Sequence, residues 1–150
     1  MRNGAARRPA LEDRDMAYKI EQIEGIGPVF ALKLTEAGVN TTSSLLESCG
    51  SPKDRQALSS RTGISAEQLL KWANHADLMR ISGIGRQFAE LLEASGVDTV
   101  MELKHRVPEN LAARMAEVNA RKRLCRVSPG AAAVSKWIAQ AARLEAAIRY

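Results

Sequence analysis

The chain is predicted to be all-α, built from two duplicated units of short helices packed together. Three observations carry that prediction. The phrase "IEGIGPVFALKLTEAGV" from Ile23 returns as "ISGIGRQFAELLEASGV" from Ile81, and a shift of 58 residues aligns Ile23–Leu45 with Ile81–Leu103 at 11 identities in 23 positions. Self-similarity of that length marks a repeated structural unit. Glycine and proline fall where helices start and stop rather than where hairpins of strands turn. Composition agrees: alanine and leucine dominate, only Phe30, Phe88, Trp72, Trp137, Tyr18 and Tyr150 are aromatic, and no convincing alternating strand is present.

Residues 1–17 read as a flexible tail, helical from Leu11, and the first unit spans 18–78. Pro28 opens its hairpin helix at a position where a missing N–H costs nothing. Phe30, Ala31 and Leu34 share one face of that helix, and Gly38 stops it. Ser51-Pro52 pairs a cap with a first-turn proline, Gly63 separates two short helices, and "SAEQ" at Ser65–Gln68 caps the helix that carries Trp72. The second unit spans 79–150. Its hairpin helix runs from Arg86 to Ser95, with Phe88, Ala89 and Leu92 inward and Gly96 as the stop. "TVME" at Thr99–Glu102 fits a capping box, and Ser128-Pro129 repeats the cap-and-proline pair. A last helix is expected from Ala131 to Arg149, with Val134, Trp137, Ile138, Ala141, Leu144 and Ile148 along one core-facing stripe. Both copies reach a Lys-Trp pair, Lys71-Trp72 and Lys136-Trp137, the second delayed by seven residues through an insertion near "NARKRLCRV". Both tryptophans are expected to anchor the core. Four or five short helices per half result.

A chain of 150 residues holds one domain or two small ones, and an apolar fraction of 45% can bury a real core. Cys49 and Cys125 have neither a CxxC pair nor a nearby histidine, so they read as buried, reduced thiols and not as a zinc site or a disulfide frame. No apolar run approaches the roughly 18 residues of a membrane span, and the opening "MRNGAARRPALEDRD" lacks the apolar stretch of a signal peptide. A cytoplasmic location is expected. Net charge is +5, unevenly placed: residues 1–78 carry ten Lys/Arg and ten Asp/Glu, residues 79–150 twelve and seven. The whole excess lies in the second half, which suits a polyanionic partner there but also a plain solubilising surface.

Two glycines in "GIG" let the chain reverse tightly between helices, with the middle isoleucine plugging the core beneath. The following helix begins at the turn, so its first N–H groups lack intrahelical partners and, with the helix dipole, can hold an anion. "IEGIG…A..L..AGV" and "ISGIG…A..L..SGV" resemble helix-hairpin-helix motifs, whose turns grip nucleic-acid backbones without reading sequence. The duplicated layout, with "SPKDRQALSSRTGISAEQLLKWANHADLMRI" between the turns, is similar more closely to a bacterial family called domain of unknown function 4332, over roughly Ile20 to Leu144. That resemblance implies two helix-hairpin-helix, SAM-like units with phosphate-binding amides around Gly25 and Gly27 and around Gly83 and Gly85.

The copies differ after the second glycine. Pro28-Val29-Phe30 removes one amide and puts an apolar valine at a contact position, whereas Arg86-Gln87 can both reach a phosphate, with Arg80 just before the turn. Arg121, Lys122 and Arg123, in "RKRLCR", could extend the positive surface, although the pattern favours a solvated connector slightly. Gly25, Gly27 and Lys33 are the first copy's counterpart candidates. Lys104-His105-Arg106 reads either as a contact or as a complement to a helix C-terminus. The turns stand 58 residues apart, so joint binding across one groove is not assumed. His75 and His105 have no partner at a telling spacing; with no Walker loop, metal cluster or Ser/His/Asp set, the chain is expected to be no enzyme and to need no cofactor or metal. The expectation is a sequence-independent contact of the second half with nucleic-acid backbone, DNA ahead of RNA. The alternative is a protein-interaction or scaffolding module in which both hairpins are architecture and the "PVF" edge or the last helix meets a partner.

Overall fold

The structure, a computed structural model, describes residues 17–150; the expected N-terminal tail up to residue 16, with its helix from Leu11, lies outside the described residues. The described chain is all-helical. A 3-10 turn at Ile20–Gln22 is followed by eight α-helices: α1 Pro28–Glu36, α2 Thr42–Ser48, α3 Pro52–Thr62, α4 Ala66–Leu78, α5 Arg86–Ala94, α6 Val100–Leu103, α7 Pro108–Lys122 and α8 Ala131–Ala141. Extended pairing among these residues is a single antiparallel bridge between Lys19 and Thr41.

Side-chain caps set most of the starts. Thr41 and Ser44 form a reciprocal capping box before α2, and Ser51 and Ser65 accept the N–H groups of Asp54 and Gln68 at the heads of α3 and α4. Thr99 caps α6 through the Glu102 N–H, but the Glu102 carboxylate returns to the Asp98 N–H at 2.6 Å, so "TVME" forms half of the expected box. Gly38, Gly63 and Gly96 all sit at positive φ just past helix ends. Ser128-Pro129 does not open the last helix: the N-cap is Gly130, without a side-chain cap, and Pro129 is buried.

Each copy closes on its own first turn. In the first, the indole of Trp72 from α4 lies under Gly25, and Phe30 meets it edge-on with ring centroids 5.1 Å apart. In the second, the indole of Trp137 from α8 lies under Gly83, with Phe88 at 5.2 Å. The tryptophans are core residues in both copies, 1% and 4% exposed. Aromatic pairs in such tilted arrangements add about 0.5–1.5 kcal/mol beyond area burial.

Helix α4 then serves both halves, because every residue from Trp72 to Met79 is buried and one hydrophobic cluster runs from Ile20 to Ile148. Its polar residues point across. The buried Asp77 carboxylate accepts the Val100 N–H at the head of α6 at 2.8 Å and pairs with Arg80 at 2.7 Å. Burial pushes its carboxyl above the ordinary range, against the pull of the Val100 amide and Arg80. His75 reaches Glu93 on α5 through Nε2 at 2.9 Å, while its Nδ1 is buried without a partner.

The last helix is shorter than its apolar stripe suggests. It ends at Ala141, and residues 145–150 cross back to the first half without helical hydrogen bonding. The Arg149 N–H donates to Gly50 C=O at 2.7 Å, the Tyr150 hydroxyl to Asn74 Oδ1 at 2.9 Å, and Ile148 is buried. Gly50 lets the crossing segment come close: a Cβ there would stand 3.3 Å from the Ala147 carbonyl oxygen.

Two outcomes test these ties. Ile148→Ala should cost about 2–4 kcal/mol in urea unfolding, the usual range for emptying a buried isoleucine site; an unchanged midpoint would mean that the crossing segment is not held. The hydrogen bond from His75 holds the Glu93 carboxyl below its ordinary value of 4.5. A depressed folded-state value means that Glu93 stabilises the fold above about pH 4.5 and loses that contribution as pH falls through the lowered value. The melting temperature of Glu93→Gln should therefore converge on that of wild type as pH is lowered from 6 to 3. A constant gap would rule out the pair as its origin.

Candidate functional site

The second turn is built as a rigid platform with an open top. The Ile84 N–H donates to Ile81 C=O at 3.0 Å, and the two isoleucines are fully buried beneath. Ser82 is held at both ends by the side-chain amide of Gln140: its N–H donates to Oε1 at 3.0 Å and its C=O accepts from Nε2 at 3.3 Å. Gly83 sits at φ +98, and a Cβ on it would meet Trp137 Nε1 at 3.0 Å. No described residue accepts a hydrogen bond from that indole N–H.

Gly85 is a different case. Its φ of −101 suits any residue, and nothing lies within 4 Å of the place its Cβ would occupy. It is the N-cap of α5, and it provides no side-chain acceptor, unlike Thr41, Ser51, Ser65 and Thr99 on their helices. The first turn of α5 also carries no acidic residue. Its outward N–H groups are therefore left to whatever approaches, and the missing side chain at Gly85 leaves the approach clear.

Positive charge gathers beside this platform. Arg86 and Gln87 are exposed at the start of α5. Arg121, Lys122 and Arg123 end α7, all exposed; Arg123 takes the left-handed C-cap with φ 54 and its N–H on Asn119 C=O. The loop beyond folds back because the Asn119 side chain bonds both the N–H and the C=O of Cys125, and the Cys125 thiol then donates to Gln87 C=O at 3.5 Å. That contact brings Cys125, between Arg123 and Arg126 in the chain, against the first turn of α5.

Arg80 requires a correction. It faces inward, 12% exposed, with Nη1 donating to Asp77 Oδ1 and to Glu145 C=O at 3.0 Å, so it is a tie between α4 and the crossing segment and not an outward contact. Arg86 is accessible but occupied: its Nε donates to Glu24 Oε1 at 2.9 Å, with both side chains over 40% exposed. Arg106 bonds Gly96 C=O at 2.9 Å and so fastens the end of α5.

The first turn repeats the scaffold and is as open at Gly27 as the second is at Gly85, but its chemistry differs. Gly25 stands at φ +94 over Trp72, and Ile26 plugs the core. Pro28 takes the first helical position, removing an amide, and Val29 and Leu32 expose 67% and 59% of their surface. Beside them an open groove is lined by Ile26, Gly27, Pro28, Ala31, Leu32 and Glu21. Lys33 is exposed on α1. Both thiols are free and buried, and burial pushes Cys49 up to about 12. Among the described residues no group of three or more His, Cys, Asp or Glu is placed to hold a metal ion, and no helix is long and apolar enough to cross a membrane. The pairs His75–Glu93 and Arg86–Glu24, 18 and 62 residues apart, have no signature in the sequence.

A family model, Domain of unknown function (DUF4332), matches residues 24–144, and the chain belongs to that family. No curated protein and no solved structure matches it.

The two glycines of the second turn should separate in stability measurements. Gly83→Ala combines a left-handed backbone with a tight indole contact and should cost about 1–3 kcal/mol. Gly85→Ala is sterically free and should cost less than about 1 kcal/mol, the loss typical of a weaker N-cap. Equal losses at the two positions would contradict the division between a structural and an open glycine.

Proposed function

We propose that this DUF4332 protein binds the sugar-phosphate backbone of nucleic acid through its second turn, as a helix-hairpin-helix contact that reads no sequence and catalyses nothing. One observation carries the proposal: Cys125, just past the basic end of α7, contacts the Gln87 carbonyl in the first turn of α5, whose start has no side-chain cap. Backbone N–H groups, Arg86, Gln87, Arg121, Lys122 and Arg123 then face one approaching polyanion. An N–H cluster at a helix start fixes the position of a phosphate, and the surrounding cations supply the attraction. This reading takes DNA ahead of RNA as the partner and the cytoplasm as the place of action. Gly83 is required by the fold; Gly85 is there for access.

A second reading has an observation of its own. Val29 and Leu32 beside the groove of α1 form an exposed apolar edge at the place where the second copy has polar residues. That edge suits a protein contact, so the first hairpin serves a protein partner while the second grips phosphate.

A salt titration of mixed-sequence duplex DNA binding to the full chain tests the main reading. With the cations Arg86, Arg121, Lys122 and Arg123 at the surface, the affinity should fall with salt at a log–log slope of about 3.6, from roughly 0.9 per phosphate. Arg86→Glu should weaken binding at least about tenfold, the loss of a charge-assisted phosphate contact of roughly 1.5–3 kcal/mol, and leave the helical circular dichroism spectrum unchanged. If the wild-type chain does not bind at 50 mM salt (about the low end of such titrations), the hairpins are architecture and the α1 edge is where a partner should be sought.

A further inference from the structure

We propose that Glu24 is a built-in competitor of phosphate: the carboxylate of the first turn occupies the guanidinium of the second until a nucleic-acid phosphate displaces it. The inference rests on the backbone-binding reading and adds a control to it. Glu24 immediately precedes Gly25, Arg86 immediately follows Gly85, and their contact at 2.9 Å brings the two turns side by side across 62 residues of chain. Both side chains remain 44% and 42% exposed, so the pair can open into solvent without unpacking anything. A carboxylate and a phosphate oxygen make the same kind of charge-assisted bond to a guanidinium, so occupation by one excludes the other.

The repeat shows where this contact came from. By the 58-residue shift, Glu24 corresponds to Ser82 and Arg86 to Pro28. The copies thus diverge at two positions whose occupants pair with each other, the acid kept on one turn and the base on the other. Glu24 acts on this cation alone: the ion pairs among the described residues leave Arg121, Lys122, Arg123 and Arg126 without a carboxylate partner. Glu90, one helical turn along α5, has its carboxyl pushed up first by burial and then by the Glu24 charge. The basic loop attracts the polyanion, and Glu24 holds back the final contact at the turn. Removing it should tighten binding and make it more sensitive to salt, because Arg86 then meets phosphate with its full charge.

The test is duplex DNA binding by the full chain across a salt series, comparing wild type, Glu24→Gln, Glu24→Ser and Glu117→Gln. The last is the control, since it frees Arg114 from an exposed carboxylate in the same way but on α7. Glu24→Gln and Glu24→Ser should each raise affinity about 3- to 10-fold at low salt and steepen the log–log slope by roughly 0.9, the value of one phosphate. In an Arg86→Gln background, Glu24→Gln should have almost no effect. Thermal melting of each variant checks that the fold is kept. If wild type binds and the Glu24 variants match it, or match Glu117→Gln, the competition does not exist. If no variant binds at all, the backbone-binding reading itself falls.

Discussion

Two left-handed glycines, each pressed onto a tryptophan indole, are the constraint on which the fold depends. A turn at φ near +95 is open to glycine and strained for any other residue. A Cβ there would also press on the indole beneath, at 3.3 Å under Gly25 and 3.0 Å under Gly83, so backbone and packing favour the same residue for different reasons. The tryptophan comes from the last helix of the same copy, which makes the contact long-range: it closes each unit end to end and fixes where every intervening helix lies. Phe30 and Phe88 then complete the same aromatic corner in each copy.

The duplication is not symmetric in use, because the copies share α4. That helix ends the first unit with Trp72 and leads directly into the second turn, and the polar residues on its far side are spent on the junction. Asp77 caps α6 and holds Arg80; His75 holds Glu93. A buried carboxylate is tolerated only with partners of this kind. Beyond α8 the chain turns back to the first half, where Arg149 and Tyr150 bond Gly50 and Asn74. The equivalent ends of the two copies therefore do opposite things, one passing the chain onward and one fastening it.

The same asymmetry separates the two turns chemically. Where the first has proline, valine and an exposed apolar edge, the second has an uncapped helix start with arginine and glutamine, and a basic loop folded against it. A rigid scaffold shared by both leaves the few residues after the second glycine to decide what each turn can meet. Electrostatics between the turns, through Glu24 and Arg86, couples them without requiring any movement of the backbone.

The sequence by itself determined the helical class, most helix starts and the burial of both tryptophans. These rest on local rules: a glycine at positive φ, a hydroxyl three residues before a free N–H, a proline in a first turn, an apolar stripe at helical spacing. It also pointed to Gly83, Gly85, Arg86 and Gln87 as one cluster, because they are neighbours in the chain. What it did not reveal were relations between distant residues. Nothing in "AARLEAAIRY" breaks a helix, and only the pull of Gly50 and Asn74 from the other half draws that segment out straight. "DLMRIS" pairs Asp77 with Arg80 at a helical spacing, but only the distant Glu145 carbonyl and the burial of Asp77 turn Arg80 inward. The meeting of the basic loop with Gln87, and of Glu24 with Arg86, likewise required the chain to fold, since charge and hydrogen-bond partners are chosen by distance in space and local sequence rules carry no such distance.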